Sequence, residues 1–145
     1  MTESPRPGVG VAAVVWRDPA RRELLVGLGH SPENRETTYA VPGGHWESGE
    51  SLSEAVVREI REEAGIAVAD LTLISVYDFY NPEKHRSYVT LGFAATLAAG
   101  EPRVMEPANK VWWGWMTPEH ALTLPLFAPD ATLIARARSG PLYEI

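Results

Sequence analysis

The chain has 145 residues, a formal net charge of −6, 45% apolar residues and no cysteine. That composition excludes a disulfide framework and thiol chemistry, argues against a nucleic-acid polymer as partner, and allows one domain with a real core. No apolar run approaches membrane-spanning length, and the opening MTESPRPG lacks the basic and apolar regions of a secretory leader. The expectation is a cytoplasmic protein with no membrane partner.

Residues 1–7 read as a flexible polar tail and residues 8–145 as a single domain. Val9 to Trp16 is apolar almost throughout, which predicts a strand buried on both faces. An Asp18-Pro19-Ala20 turn leads to a second strand, Leu24 to Leu28. Residues 29–38 form a polar loop, and Tyr39-Ala40-Val41 is a short strand entering Pro42-Gly43-Gly44. A helix follows. Leu71 to Tyr80 and Ser87 to Leu97 are two strands joined by the Asn81-Pro-Glu-Lys-His loop. Lys110 to Met116 is a further strand, with Trp113 and Trp115 on one face and Trp112 on the other. Pro129 to Arg138 reads as a closing helix. Strands on either side of a helix, then a terminal helix, predict an α/β fold with a mixed sheet between helical layers.

The first helix carries the chemistry. Ser51 and Glu54 have the spacing of a capping box, and Gly65 is a natural stop. Leu52, Val56 and Ile60 recur at helical spacing and mark the buried side. At roughly 100° per residue, Glu59 and Glu63 fall about 40° apart, in the sector of Leu52 and Val56. Glu62 lies on the flank, about 60° from Glu59. An ordinary acidic run is a solvated face laced with salt bridges. Glu59 and Glu63 point the wrong way for that, and buried carboxylates need a cation or protons. Mg²⁺, a hard ion that takes oxygen ligands, is the expected partner. Glu50 precedes the helix, where it would hold a metal-bound water or favour the helix N-terminus.

Residues 44–66, GHWESGESLSEAVVREIREEAGI, resemble the Nudix box at every defining position. The likeness extends to Arg6-Pro-Gly-Val-Gly-Val, Pro42-Gly-Gly-His-Trp-Glu, Tyr88-Val-Thr, Glu106-Pro-Ala-Asn and Trp115-Met-Thr-Pro-Glu. These resemble MutT-like Nudix hydrolases, in particular the triphosphate diphosphatases that include a human enzyme acting on thiopurine nucleotides. The resemblance implies an α/β/α Nudix fold and Mg²⁺- or Mn²⁺-dependent hydrolysis of a nucleoside triphosphate to the monophosphate and pyrophosphate. It implies metal ligation by the Gly44 carbonyl, Glu59, Glu62 and Glu63. Glu62 either ligates through water or takes the proton of the attacking water. Arg58 orients the glutamates, and Glu106 is a further ligand or base. On the substrate side it implies His45 near the phosphates or base and Thr90 in the base pocket, with Phe127 as a candidate stacking residue. Relatives are often homodimers. Two positions depart from the pattern. Gly27-Leu28-Gly29-His30 stands where relatives carry a basic residue, and Ala40 stands where they carry glutamine, so a thiopurine preference is not implied.

Two other readings compete. Hydrolysis of ADP-ribose, NADH or a sugar nucleotide is one, because those branches carry a proline about where Pro82 stands. A Nudix-like ligand-binding module without catalysis is the other, although such modules commonly lose box glutamates that this chain retains.

Overall fold

Strand β1 (Gly8–Trp16) is the axis of the molecule. Its side chains alternate between two cores. Val11, Ala13 and Val15 face one helical layer, while Ala12, Val14 and Trp16 face the other. An almost unbroken apolar run is what such a two-sided burial needs. In this computed structural model, residues 5–30 and 37–139 are described.

Strand β2 (Leu24–His30) follows the Asp18 turn, and β3 (Thr37–Ala40) pairs with it. The short β4 (Gly43–His45) pairs with β1, then comes helix α1 (Leu52–Ala64). Strands β5 (Ala67–Asn81) and β6 (Arg86–Ala99) form a long hairpin, and β7 (Lys110–Met116) lies on β2. Helices α2 (Pro118–Ala121) and α3 (Ala128–Ser139) close the described chain. The sheet has seven strands, running β3-β2-β1-β6-β5 with β4 on β1 and β7 on β2. Only the β1–β6 pair is parallel among these ladders. Helix α1 supplies Ala55, Val56, Ile60 and Ala64 to one core, and α3 supplies Leu133 and Ile134 to the other. The predicted mixed sheet between helical layers is therefore the observed one.

Most predicted elements fall within a few residues of their observed bounds, and β7 matches at both ends. The differences have local causes. Strand β5 starts at Ala67 rather than Leu71, because bulges interrupt its ladder and Asp70 takes a φ of 57°. Those bulges break the alternation by which a strand is read. The loop expected over 29–38 is shorter, since Gly29 and His30 extend β2 while Thr37 and Thr38 open β3; residues 31–36 lie outside the described set. Strand β4 has no apolar pattern and exists through its pairing with β1. Of the expected N-terminal tail, residues 1–4 lie outside the described set. Residues 5–7 are exposed, and the Arg6 carbonyl accepts a 2.7 Å hydrogen bond from Arg86 Nε.

Ile60 is 1% exposed in the α1 core. Ile60→Ala removes buried methyl groups and leaves a cavity, so it is expected to cost about 2–5 kcal/mol of unfolding free energy, read as a lowered urea midpoint with unchanged slope.

Candidate active site

Helix α1 begins and ends as its sequence predicts. Ser51 Oγ accepts from Glu54 N at 3.1 Å, and Glu54 Oε1 accepts from Ser51 N at 3.0 Å. Gly65 caps the other end with φ 70° and donates to the Arg61 carbonyl at 3.0 Å. These caps fix the register, and the register puts acids on the inward face.

Glu63 is 7% exposed among Ala55, Val56, Ile60 and Ala64. Its Oε1 accepts from the Gly43 N–H at 3.1 Å, and Oε2 lies 4.0 Å from Lys110 Nζ. Its backbone carbonyl accepts from Trp113 Nε1 at 3.1 Å and from Met105 N at 3.4 Å. Burial pushes its carboxyl up to about 8, against the opposing pull of Lys110 and the Gly43 N–H. Glu59 is half-buried, and burial raises its pKa even with Arg58 Nη1 at 2.7 Å.

Arg58 organises the carboxylates. Its Nε and Nη2 bind both oxygens of Glu50 at 2.9 and 2.7 Å. Its Nη1 reaches Glu59 at 2.7 Å and Glu62 at 3.3 Å, and Nη2 also donates to the His45 carbonyl at 3.0 Å. The forked contact with Glu50 holds that acid below its usual range. Glu50 thus anchors Arg58, a role that neither sequence alternative named. Glu62 is the outermost of the three, with its side chain 49% exposed. Glu106 is half-buried in the loop before β7, and its charge helps raise the pKa values of Glu59 and Glu63.

Gly44 leaves room for the Glu59 carboxyl. A Cβ there would overlap the Glu59 carboxyl, and one at Gly43 would strike the β1 backbone. Gly10 stands between His45 on β4 and Thr90 on β6 in the ladder. A Cβ at Gly10 would come within 3.4 Å of the Gly44 carbonyl oxygen and 3.9 Å of Thr90 Oγ1. Its absence leaves both oxygens approachable.

In front of these glycines lies a cavity of about 640 Å³. Gly44, His45, Thr90 and Phe127 line it, as do Lys110 and Asp130. Phe79 and Tyr88 form its aromatic side, stacked at 5.3 Å, with Phe127 edge-on to Phe79 at 6.0 Å. The hairpin tip, Asn81 to Lys84, closes one edge. The glutamates of α1 stand behind β4, while the predicted substrate residues face the cavity itself.

Two lining residues went unread in the sequence. Lys110 looks like the first residue of a strand. Asp130 looks like an ordinary acid at a helix start, where the helix dipole favours it. It is instead 3% exposed, accepts from Val41 N at 3.0 Å, and is pushed up to about 7 by burial. Only the fold brings it under the cavity.

Among the described residues no three histidine or acidic side chains converge into a ready metal cage. The donor chemistry nonetheless suits a hard cation. Glu59 and Glu63 are oxygen donors whose burial penalises their charge, and a divalent ion would relieve that penalty.

The NUDIX domain model matches residues 6–137. The chain belongs to the NUDIX family. The ADP-ribose pyrophosphatase of Methanocaldococcus jannaschii is 30% identical over 104 residues, which is 72% of this chain and 59% of that protein. The NAD-capped RNA hydrolase NudC of Photobacterium profundum is 30% identical over 115 residues, 78% of this chain and 40% of its own length. The chain thus spans less than two thirds of the length of either curated relative. The crystal structure of a MutT NUDIX hydrolase from Burkholderia pseudomallei superposes with a TM-score of 0.77 at 31% identity, covering 91% of this chain and 98% of that one. The MutT-like resemblance read from the sequence has this structural counterpart. The narrower likeness to a triphosphate diphosphatase acting on thiopurines has none among these three. No helix of the described residues is long and apolar enough to cross a membrane.

Asp130 makes stability depend on pH. Its folded pKa lies above the ordinary 3.8, so the native state holds a proton that the unfolded state has released. Stability therefore falls as pH rises through that window, up to about 7. Asp130→Asn keeps an acceptor for Val41 N–H. It is expected to flatten this slope, with a melting temperature above wild type at pH 8 and closer to it at pH 4.

Proposed function

We propose that this chain is a metal-dependent NUDIX pyrophosphohydrolase that cleaves a nucleoside triphosphate to the monophosphate and pyrophosphate. The observation that carries the reading is the pair of carboxylates, half-buried Glu59 and buried Glu63, packed against Gly43-Gly44, which line an aromatic-sided cavity. The Gly44 carbonyl, Glu59, Glu62 and Glu63 would hold Mg²⁺ or Mn²⁺. A bound cation supplies Lewis acidity toward the diphosphate and lowers the pKa of a water.

The chain's own residues do the rest. Arg58 fixes the directions of Glu59 and Glu62, and Glu50 fixes Arg58. Glu62, the most exposed of the set, is the base that takes the proton of the attacking water, with Glu106 as the competing carboxylate. Phe79, Tyr88 and Phe127 offer π faces and edges to a nucleobase, and such aromatic contacts are worth about 0.5–1.5 kcal/mol each beyond buried area. His45 and Thr90 flank Gly10 and govern substrate affinity and base choice more than the chemical step.

A second reading is hydrolysis of ADP-ribose or a related dinucleotide. The Methanocaldococcus jannaschii relative is named for that substrate. Pro82, at the place where ADP-ribose branches carry a proline, lines the cavity here.

Turnover of dNTPs, NTPs and ADP-ribose under Mg²⁺ separates the two. The expected outcome is faster release of pyrophosphate from a triphosphate, abolished by EDTA. In ¹⁸O-water the label belongs in the monophosphate or pyrophosphate. Label in orthophosphate, or ADP-ribose turned over far faster than every triphosphate, overturns the first reading. Mg²⁺ at millimolar concentration is also expected to raise the melting temperature, because it binds the native state alone.

Two substitutions test the site. Glu63→Gln keeps shape and loses charge, and is expected to remove most activity with the fold intact. Wild-type turnover at saturating Mg²⁺ would refute the ligand assignment. Gly44→Ala drives a methyl into the Glu59 carboxyl and is expected to lower kcat by at least about tenfold, since a misplacement of about 1 Å can cost more than that.

A further inference from the structure

We propose that Lys110 is a substrate-phosphate contact of this cavity, a binding residue outside the glutamate-bearing stretch. The proposal rests on the pyrophosphohydrolase reading and adds a residue to it. Lys110 opens β7 opposite Gly29, at the point where the β2–β7 register shifts. Its backbone N–H is pinned to the Glu106 carbonyl at 3.0 Å. A Cβ on Gly29 would stand 3.1 Å from Lys110 Cδ and 3.2 Å from Nζ. On another side the Trp113 ring centre lies 5.9 Å from Nζ. Glycine and indole together make a sleeve that fixes where a flexible stem ends.

Lys110 lines the same cavity as Gly43 and Gly44, with its side chain only 17% exposed. Its ammonium forms a long ion pair with Glu63 Oε2 at 4.0 Å, beyond the 2.7–3.2 Å typical of an N–H···O hydrogen bond, so this pairing engages its charge without using one of its N–H donors. An ammonium has three donors, and this one sits where its charge acts on Glu63 and Asp130 alike. The surrounding acids would repel a polyphosphate, so a cation on its path matters. Arg58 does not serve, because its guanidinium is bonded to Glu50, Glu59, Glu62 and the His45 carbonyl. Lys84 lies on the exposed hairpin tip. Lys110 is the shielded cavity lysine, within 4.0 Å of Glu63 Oε2.

The test is Lys110→Met, which keeps the stem and removes the charge, run beside wild type and Glu63→Gln. The KM for the triphosphate and the inhibition constant of inorganic pyrophosphate are both expected to rise about tenfold or more, the size of one lost charged contact, with kcat within about threefold. Wild-type KM and pyrophosphate inhibition, or a fall in kcat alone, would overturn the proposal. If Glu63→Gln is inactive while Lys110→Met binds normally, the lysine assignment alone fails. If Glu63→Gln retains full turnover, the site reading beneath it fails. Should no triphosphate be turned over, calorimetric binding of Mg²⁺-pyrophosphate to wild type and Lys110→Met decides by the same loss. Should Lys110→Met not fold, Lys110→Gln takes its place in each arm.

Discussion

Two buried carboxylates hold the same short stretch of chain from opposite sides of the sheet. Glu63 of α1 takes the N–H of Gly43, and Asp130 of α3 takes the N–H of Val41. Pro42, between them, has no N–H to satisfy, and its carbonyl accepts from Ala13 of β1 at 3.0 Å. Every backbone donor of this crossing is thereby bonded to a group from a different element. Buried amides must find partners, and here they find acids that burial keeps reluctant to ionise. The helices, the central strand and the glycines meet at this one place.

From there the site follows with few free choices. Once β4 lies on β1, Gly10 falls between His45 and Thr90, and the cavity opens over the missing side chain. Once α1 is capped by Ser51 and Gly65, Glu59 and Glu63 cannot avoid facing β4. The segment 39–41 runs beside 125–130: Tyr39 N–H reaches the Pro125 carbonyl, and Phe127 N–H reaches the Tyr39 carbonyl. That pairing sets both Phe127 and Asp130 at the cavity. Backbone hydrogen bonds to the chain entering β4 therefore align the aromatic side with the acidic side.

Local signals were readable in the sequence, and convergence was not. The capping box, the Gly65 stop and the apolar run of β1 are short-range patterns with a physical cause, and each appears where expected. The inward direction of Glu59 and Glu63 follows from helical periodicity alone. Strand β4, by contrast, is two glycines and a histidine that become a strand only against β1. Lys110 and Asp130 carry no local mark, because a strand-opening lysine and a helix-opening aspartate are ordinary. Glu50 precedes the helix in sequence, yet its partner Arg58 lies two turns away across the cap. Separation along the chain hides such pairings, and only the folded backbone reveals them.

The long β5–β6 hairpin has a consequence of its own. Glu50, Arg58, Glu59, Glu62, Glu63 and the Gly43-Gly44 pair all come from one stretch, residues 43–63, that runs through β4 and α1. Phe79, Tyr88 and the tip around Pro82 instead belong to the hairpin's far end, where β5 pairs with β6 alone. The glutamate-bearing stretch and the aromatic end of the hairpin are thus separate pieces of chain that meet on β1, where Gly10 pairs with His45 on one side and Thr90 on the other. Under the proposed reading, such a division would leave the glutamates in place while the hairpin sets what the cavity admits.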